Sequence, residues 1–374
     1  MPASRTIVVE EITVDKVLNT FAHQDGWFWA KYSASPYLGC QYACAYCFLR
    51  QDGYGLNVGN ERTVGMDDTF SQYLRVKTNA HLVLDKELQD VERDVIGVGD
   101  YQPVESTFML SRKMLEVCRT HEFPVIIIAK SPLVVRDIDV IREISRRSWA
   151  CVVFSIGSHQ SAGYREFFEP FASSVESRFL AMKKCSEAGI HTGTALMPVL
   201  PFITDSRENL EAVIRKTKES GGRFVVAGGL ALSDAQAESF YKSLERYNKN
   251  FVDRYKTLYQ GRFSPQDNSW ASLGRTVKGL CETHGLDYRI KRFVPDSPLS
   301  MNKRLAELLF LRVYEMELNE EPEAEIQKCR ELAWRIDEMR EPVQCLPDET
   351  AVMHEAVEEI MKRVRFGNKE FCIA

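Results

Sequence analysis

No stretch of this 374-residue chain approaches the roughly eighteen consecutive apolar residues of a membrane-crossing helix. The opening, MPASRTIVVEEITVDK, lacks the basic and apolar regions of a secretory signal. These two absences predict a cytoplasmic protein with no membrane partner. Excess positive charge is missing too: 48 lysines and arginines stand against 53 aspartates and glutamates, a net charge of -5. A protein that coats polyanions by bulk charge is thereby excluded, and only a local basic surface remains open. Candidates for one are Arg142, Arg146 and Arg147, the run Arg289, Lys291 and Arg292, and Lys362, Arg363 and Arg365; each reads first as a solvated helix face. Histidine is scarce, at seven residues, and none shows the HxxxH spacing of a helical metal site.

What is present is a repeat of strand and helix. Short apolar runs at Val95–Val98, Val125–Ala129, Cys151–Ile156, Thr192–Met197 and Phe224–Ala227 alternate with helical patterns near 104–121, 135–147, 173–188, 206–219 and 233–247. Continuous Val/Ile runs separated by helix-length segments predict a parallel sheet covered by helices. With a first strand near Ser33–Leu38 there are six βα units, fewer than the eight of a closed barrel. Periodicity leaves an open partial barrel and a doubly wound sheet as alternatives; in both, loops at the carboxyl ends of the strands build the site. Residues 51–93 form a long insertion that should carry short elements of its own. Beyond about residue 250 the pattern is helical only, near 269–284, 300–319, 322–340 and 348–365. The expected organisation is an N-terminal segment 1–32, a βα domain 33–250 and a helical region 251–374.

Ten cysteines in a cytosolic chain read as thiols or metal ligands rather than disulfides. Three of them, Cys40, Cys44 and Cys47, fall in SPYLGCQYACAYCFLR, on the loop after the first strand. A structural zinc is closed by four ligands, yet no further Cys or His follows within thirty residues. Three ligands from one loop leave one metal position open, which is what metal chemistry requires. The alternatives are a zinc site completed by a distant histidine, or three thiols in one loop by chance.

The CxxxCxxC spacing after a first βα strand, with Tyr46 just before the last cysteine, resembles the radical S-adenosylmethionine superfamily. Further segments, YLRVKTNAHLVLDKEL, VIGVGDYQPVE, IIIAKSPLVVRDID, VVFSIGS, Glu169-Pro170 with Arg178, and ALMPVLPFITD, follow the motif order of its spore photoproduct lyase-like branch over roughly residues 33–290. The resemblance implies a partial (β/α)6 barrel with a helical C-terminal region, and cofactors in the form of a 4Fe-4S cluster and S-adenosylmethionine. Cys40, Cys44 and Cys47 would hold the cluster, and the methionine moiety would chelate the fourth iron. Tyr46 would lie against the adenine. Gly97, Val98, Gly99 and Asp100 would meet the methionine amino group, Lys130 its carboxylate, Ser155 the carboxylate or ribose, and Arg178 a carboxylate or ribose hydroxyl. Met197 and Pro198 begin the stretch whose backbone would flank the adenine. An electron donor such as flavodoxin or ferredoxin is implied as a partner.

The resemblance further implies reductive cleavage of S-adenosylmethionine to a 5′-deoxyadenosyl radical, hydrogen abstraction, and lyase-like chemistry on a nucleic-acid substrate such as a DNA photoproduct. The alternative is a radical enzyme of the same architecture acting on a small molecule or peptide, and a third reading is an electron-transfer or zinc protein. Tyr101, Gln102 and His159, at strand ends, are candidate substrate contacts. The family's thiol hydrogen donor lies between the cluster loop and the following strands, but here no cysteine occurs between Cys47 and Cys118. Cys345 and Cys372 are the remaining thiol candidates.

Overall fold

The computed structural model describes residues 5–51, 69–160, 163–265 and 269–343, in two compact units, Met1–Ile290 and Lys291–Ala374. Cys345, Cys372 and the helix expected near 348–365 lie outside the described residues.

The first unit opens with β1 (Val8–Ile12), β2 (Leu18–Thr20), β3 (Tyr32–Ala34) and β4 (Tyr37–Leu38), then α1 (Thr69–Gln72), β5 (Tyr73–Lys77) and α2 (Ala80–Glu87). The βα succession follows: β6 (Ile96–Val98), α3 (Glu105–Phe108), α4 (Leu110–Thr120), β7 (Val125–Ala129), α5 (Ile138–Arg147), β8 (Ala150–Ser155), α6 (Tyr164–Phe168), α7 (Val175–Glu187), β9 (His191–Val199), α8 (Arg207–Glu219), β10 (Val225–Gly229), α9 (Asp234–Tyr259) and α10 (Ser269–His284).

Seven strands form one sheet in the order β10-β9-β8-β7-β6-β3-β2. All pair in parallel except β2, which runs antiparallel to β3. The order is the chain order, so each βα unit adds its strand beside the previous one. The interior strand β8 is buried at every position, which is why its sequence, ACVVFS, runs apolar up to its final serine rather than alternating. The helices carry one apolar stripe each; α5 buries Val140, Ile141 and Ile144 and leaves Arg146 and Arg147 in its last turn, where they complement the helix dipole. Register sets the site: Ala129 pairs with Phe154, and Ser155 with Ala195. The ends of β7, β8 and β9 therefore lie side by side.

One sequence expectation changes. The first strand, expected across Ser33–Leu38, is two strands in different sheets. Tyr32–Ala34 joins the main sheet, whereas Tyr37–Leu38 pairs antiparallel with β5 in a three-stranded sheet of order β1-β5-β4. Pro36 has no N–H for a ladder and disfavours continuation of a central strand; its carbonyl instead accepts from Lys77 N at 2.9 Å. The insertion supplies α1, β5 and α2, as its length suggested. Residues near the start of the chain supply the β1 partner that covers β5.

The second unit contains α11 (Ser300–Leu318) and α12 (Glu323–Asp337). Leu305, Leu309 and Val313 of α11 are buried, as are Ile326, Cys329 and Ala333 of α12, spacings that place one apolar face on each helix. Pro322 precedes the first turn of α12, a position where its missing N–H costs nothing. Asp337 at the end of α12 forms a buried ion pair with Arg292 and receives Lys303 Nζ at 3.3 Å. No helix among the described residues is long and apolar enough to cross a membrane.

Candidate functional site

The three cysteines sit on a loop wound tightly after β4. Ala43 N donates to Cys40 O and Cys47 N to Cys44 O, each at 3.3 Å, with Ala43 in the left-handed region at φ 52°. Gly39, at φ 84°, begins the loop where no side chain fits: a Cβ there would lie 2.8 Å from Tyr73 O and 2.9 Å from Phe70 O. Gln102, wholly buried at the end of β6, ties the loop down. Its Oε1 accepts from Gln41 N at 2.8 Å, and its Nε2 donates to Gly39 O at 3.1 Å and Asp100 Oδ2 at 2.9 Å. From the other side, Gln236 in the first turn of α9 donates to Tyr46 O at 3.1 Å.

All three thiols are free. Burial pushes Cys44 up to about 12, and burial raises Cys40 and Cys47 as well. Charge on Cys47 or Cys44 further disfavours charge on Cys40, so the thiols lie within electrostatic reach of one another. As bare groups they are neutral at physiological pH. A metal centre that binds thiolates would reverse this by deprotonating them on binding. Among the described residues no three His, Cys, Asp or Glu side chains converge on a single ion position. A cubane does not ask for that, because each thiolate takes a different iron.

Beside the loop lies a buried charge cluster centred on Glu169. Its Oε1 accepts from Lys130 Nζ at 2.9 Å and from the Tyr46 hydroxyl, and its Oε2 accepts from Arg178. Lys130 also donates to Ser155 Oγ at 2.8 Å and to the Tyr46 hydroxyl at 3.1 Å. Arg178 donates to Ser155 O and Ser173 O, both at 2.8 Å. Side-chain exposure is 1% for Glu169, 0% for Arg178 and 17% for Lys130. Burial by itself would raise the Glu169 carboxyl, but Arg178 and Lys130 hold it well below the usual carboxylate range. Two cations share one carboxylate, so the cluster keeps one net positive charge, and Arg178 Nε has no partner among the described residues. The surplus charge leaves electrostatic room for one further anionic group beside the partly accessible Lys130, whose three N–H donors now serve Glu169, Ser155 and Tyr46 and would be shared with it.

The structure thus brings together Tyr46, Lys130, Ser155 and Arg178, which come from the cysteine loop, the ends of β7 and β8, and α7. Met197 adjoins them, its carbonyl 3.4 Å from Ser155 Oγ, and it precedes Pro198 through a cis peptide. Gly97 pairs with Ser33 within the sheet, Val98 is buried, and Gly99 turns the chain at φ 95° into Asp100. Burial raises the Asp100 carboxyl to about 6. Tyr101 is buried, its hydroxyl donating to Asp137 Oδ2 at 3.1 Å. His159 is held separately: its backbone N and its Nδ1 both contact Asn209 Oδ1 at 2.9 Å.

Sequence reading marks Glu169 only as half of an EP dipeptide, yet it is the group on which the cluster turns. The available signal was an acid nine positions before Arg178, at the close of a segment that bends back over the β8 end. Tyr164, also unremarked, donates to the Tyr46 hydroxyl at 3.3 Å.

No family model matches the sequence. The chain is 27% identical over 238 residues to the uncharacterized protein Rv2578c of Mycobacterium tuberculosis (strain ATCC 25618 / H37Rv), covering 62% of this chain and 67% of that one. It is 30% identical over 260 residues to the uncharacterized protein MJ0683 of Methanocaldococcus jannaschii, covering 67% of this chain and 90% of the relative. Among solved structures it resembles a spore photoproduct lyase variant with bound AdoMet and dinucleoside spore photoproduct, with TM-score 0.54, 17% identity, and coverage of 75% of this chain and 81% of that chain. A second spore photoproduct lyase variant aligns with TM-score 0.55 at the same identity and coverage. The chain belongs to the family of the Methanocaldococcus jannaschii protein, and its fold is similar to that of spore photoproduct lyase.

Proposed function

We propose that this protein is a radical S-adenosylmethionine enzyme. The observation that carries the reading is the adjacency of the three-thiol loop to a buried cluster holding one surplus positive charge. In this reading the six parallel strands curl as a partial (β/α)6 barrel with the site at their carboxyl ends, and the helical C-terminal region is a separate element. Cys40, Cys44 and Cys47 would hold a 4Fe-4S cluster. Bound there, the cluster would supply one-electron reduction of the sulfonium, with a flavodoxin or ferredoxin as electron source, a chemistry that cleaves the C–S bond to methionine and a 5′-deoxyadenosyl radical able to take hydrogen from substrate.

The chain's own residues prepare that event. Lys130, fixed by Ser155 and Glu169, offers its ammonium to the methionine carboxylate. Arg178 secures the end of β8 through the Ser155 carbonyl, and Glu169 pairs with both cations and orients them. Tyr46, locked through its hydroxyl, presents its ring as a wall for the adenine. Gly99, without a side chain, allows the close approach of the methionine amino group, and Met197 and Pro198 bound the adenine on the far side. Gln102 and Tyr101 act as positioning residues for the loop and strand end rather than from solvent.

The substrate reading follows the fold: chemistry on a nucleic acid, related to that of spore photoproduct lyase. The lack of a cysteine between Cys47 and Cys118 and the net charge of -5 favour, as a second reading, a small molecule or peptide as substrate. Cys345 and Cys372 remain the candidate thiol donors. The test is anaerobic reconstitution with iron and sulfide followed by reduction with S-adenosylmethionine. Release of 5′-deoxyadenosine is expected; its absence from fully reconstituted protein overturns the reading. Deuterium transfer from labelled substrates into 5′-deoxyadenosine then identifies the molecule attacked.

A further inference from the structure

An arginine on the strand-end rim stands over an aromatic ring with its donors unused. The Arg254 guanidinium lies 3.7 Å from the centroid of Phe202 and 5.3 Å from that of Phe251. It is exposed, and among the described residues it makes no hydrogen bond or ion pair, although Asp253 is its neighbour in sequence. Phe202 follows the end of β9, four residues beyond Pro198, and is 37% exposed.

This arrangement is built rather than incidental. Phe202 sits in the left-handed region at φ 65°, a conformation a bulky residue adopts only when its surroundings enforce it. The turn is enforced by Thr204 Oγ1, which accepts from Leu200 N at 2.8 Å, and by the buried Tyr255, whose hydroxyl donates to Pro201 O at 2.6 Å. Tyr255 also packs edge-on against Phe202, with centroids 5.8 Å apart. On the other side, α9 breaks at Asn248, whose φ of -161° and ψ of 106° are not helical. Asn248 Oδ1 accepts from Asn250 N at 3.0 Å and restarts the helix. The restarted half carries Phe251, Arg254 and Tyr255 together onto the β9 loop. Exposed aromatics recur on the same rim: Phe48 follows Cys47, and Trp270 packs its indole where a Cβ on Gly229, at the end of β10, would be.

An exposed guanidinium whose carbon stands 3.7 Å over one ring can take a second π system on its open side and a phosphate on its N–H donors. We propose that Phe202 and Arg254 form a shelf that binds single-stranded nucleic acid, stacking an unpaired base on the guanidinium and taking the adjoining phosphate on its N–H edge. The chemistry matches a nucleotide strand because it joins a flat π surface to one localised cation, and not a field of many cations. The shelf deepens the nucleic-acid reading above and rests on it for its place beside the radical site.

The test uses the full reconstituted chain and a fluorescein-labelled single-stranded dT12, with the matching duplex and an octaglutamate peptide as controls, titrated across salt. The wild type is expected to prefer the single strand. Arg254→Ala should weaken binding by about tenfold or more and flatten the slope of log K against log salt by about 0.7, one phosphate contact. Arg254→Lys should keep the slope and still lose affinity, because an ammonium carries the charge without the planar face. Phe202→Leu should weaken binding by about five- to a hundredfold with the slope unchanged. Equal binding of the peptide, no binding of dT12 at low salt, or wild-type behaviour of both Arg254 variants overturns the proposal. The Arg254 side chain is on the surface, so its variants remain informative if Phe202→Leu lowers the melting temperature. Release of 5′-deoxyadenosine by wild-type protein without oligonucleotide reports separately on the radical chemistry, so the two readings fail distinguishably.

Discussion

Lys130 Nζ and Glu169 Oε1 lie 2.9 Å apart across 39 residues of chain, joining the end of β7 to the segment that closes over β8. Neither residue is explained by solvent exposure or by a local capping role. Glu169 is the shared counter-charge of Lys130 and Arg178, and it fixes the position of the ammonium proposed to receive a ligand carboxylate.

Replacement of Glu169 by Gln should therefore destabilise the protein by about 3–5 kcal/mol, the cost of leaving a buried cation without its counter-charge. Urea unfolding at neutral pH measures it. The pH dependence has a definite sign. Because the folded-state carboxyl is held below its ordinary range, its stabilisation is present above the unfolded carboxylate pKa and is lost as pH falls through and below that range. The stability gap between wild type and Glu169→Gln should accordingly shrink in acid; a gap that widens on acidification contradicts the assignment.

Gln102→Leu tests the anchoring of the cysteine loop. The buried amide serves Gln41 N, Gly39 O and Asp100, and leaving such partners unsatisfied costs about 1–3 kcal/mol. The expected result is a lower melting temperature together with faster loss of iron from reconstituted protein. A loop that retains iron at the wild-type rate would mean that Gln102 only packs.

Gly39→Ala should be severe for so small a change. The added Cβ meets two backbone carbonyl oxygens inside 3.0 Å at a left-handed φ, and neither can move without shifting β5 or the turn before it. A loss of more than about 1 kcal/mol in stability is expected, read from thermal unfolding. A neutral outcome would show that the loop entry relaxes.

Substitution of any one of Cys40, Cys44 or Cys47 by Ala should abolish the visible absorbance that the reconstituted wild type develops and drop the iron content from about four per chain towards zero. Ala at Cys118 or Cys185, buried among helix and sheet residues, should leave iron content unchanged. Equal iron in the loop variants would overturn the cluster assignment.

Much of the scaffold was readable from residues alone. The strands β6 to β10 announce themselves because strands buried on both faces need continuous Val, Ile and Ala, and the helices between them because one apolar stripe recurs every three to four residues. The division at Pro36 was not read, although proline's missing N–H is a local fact, because the second sheet that receives Tyr37 and Leu38 is completed by β1 and β5 from distant parts of the chain. Tyr101 illustrates the same limit: its place at a strand end suggested access, but its hydroxyl points to a buried aspartate on the next βα connection.

The three-thiol loop and its position after the first strand are legible in residues 35–50 alone, because ligand spacing within one turn is a property of contiguous residues. The βα order is legible too, since burial on both faces dictates composition. Tertiary folding alone made Glu169 gather Tyr46, Lys130 and Arg178, contacts that reach as far as 123 positions along the chain, and set Arg254 over Phe202. Those pairings depend on strand register and on where α9 breaks, and a buried charge finds its partner through the fold rather than through its neighbours in sequence.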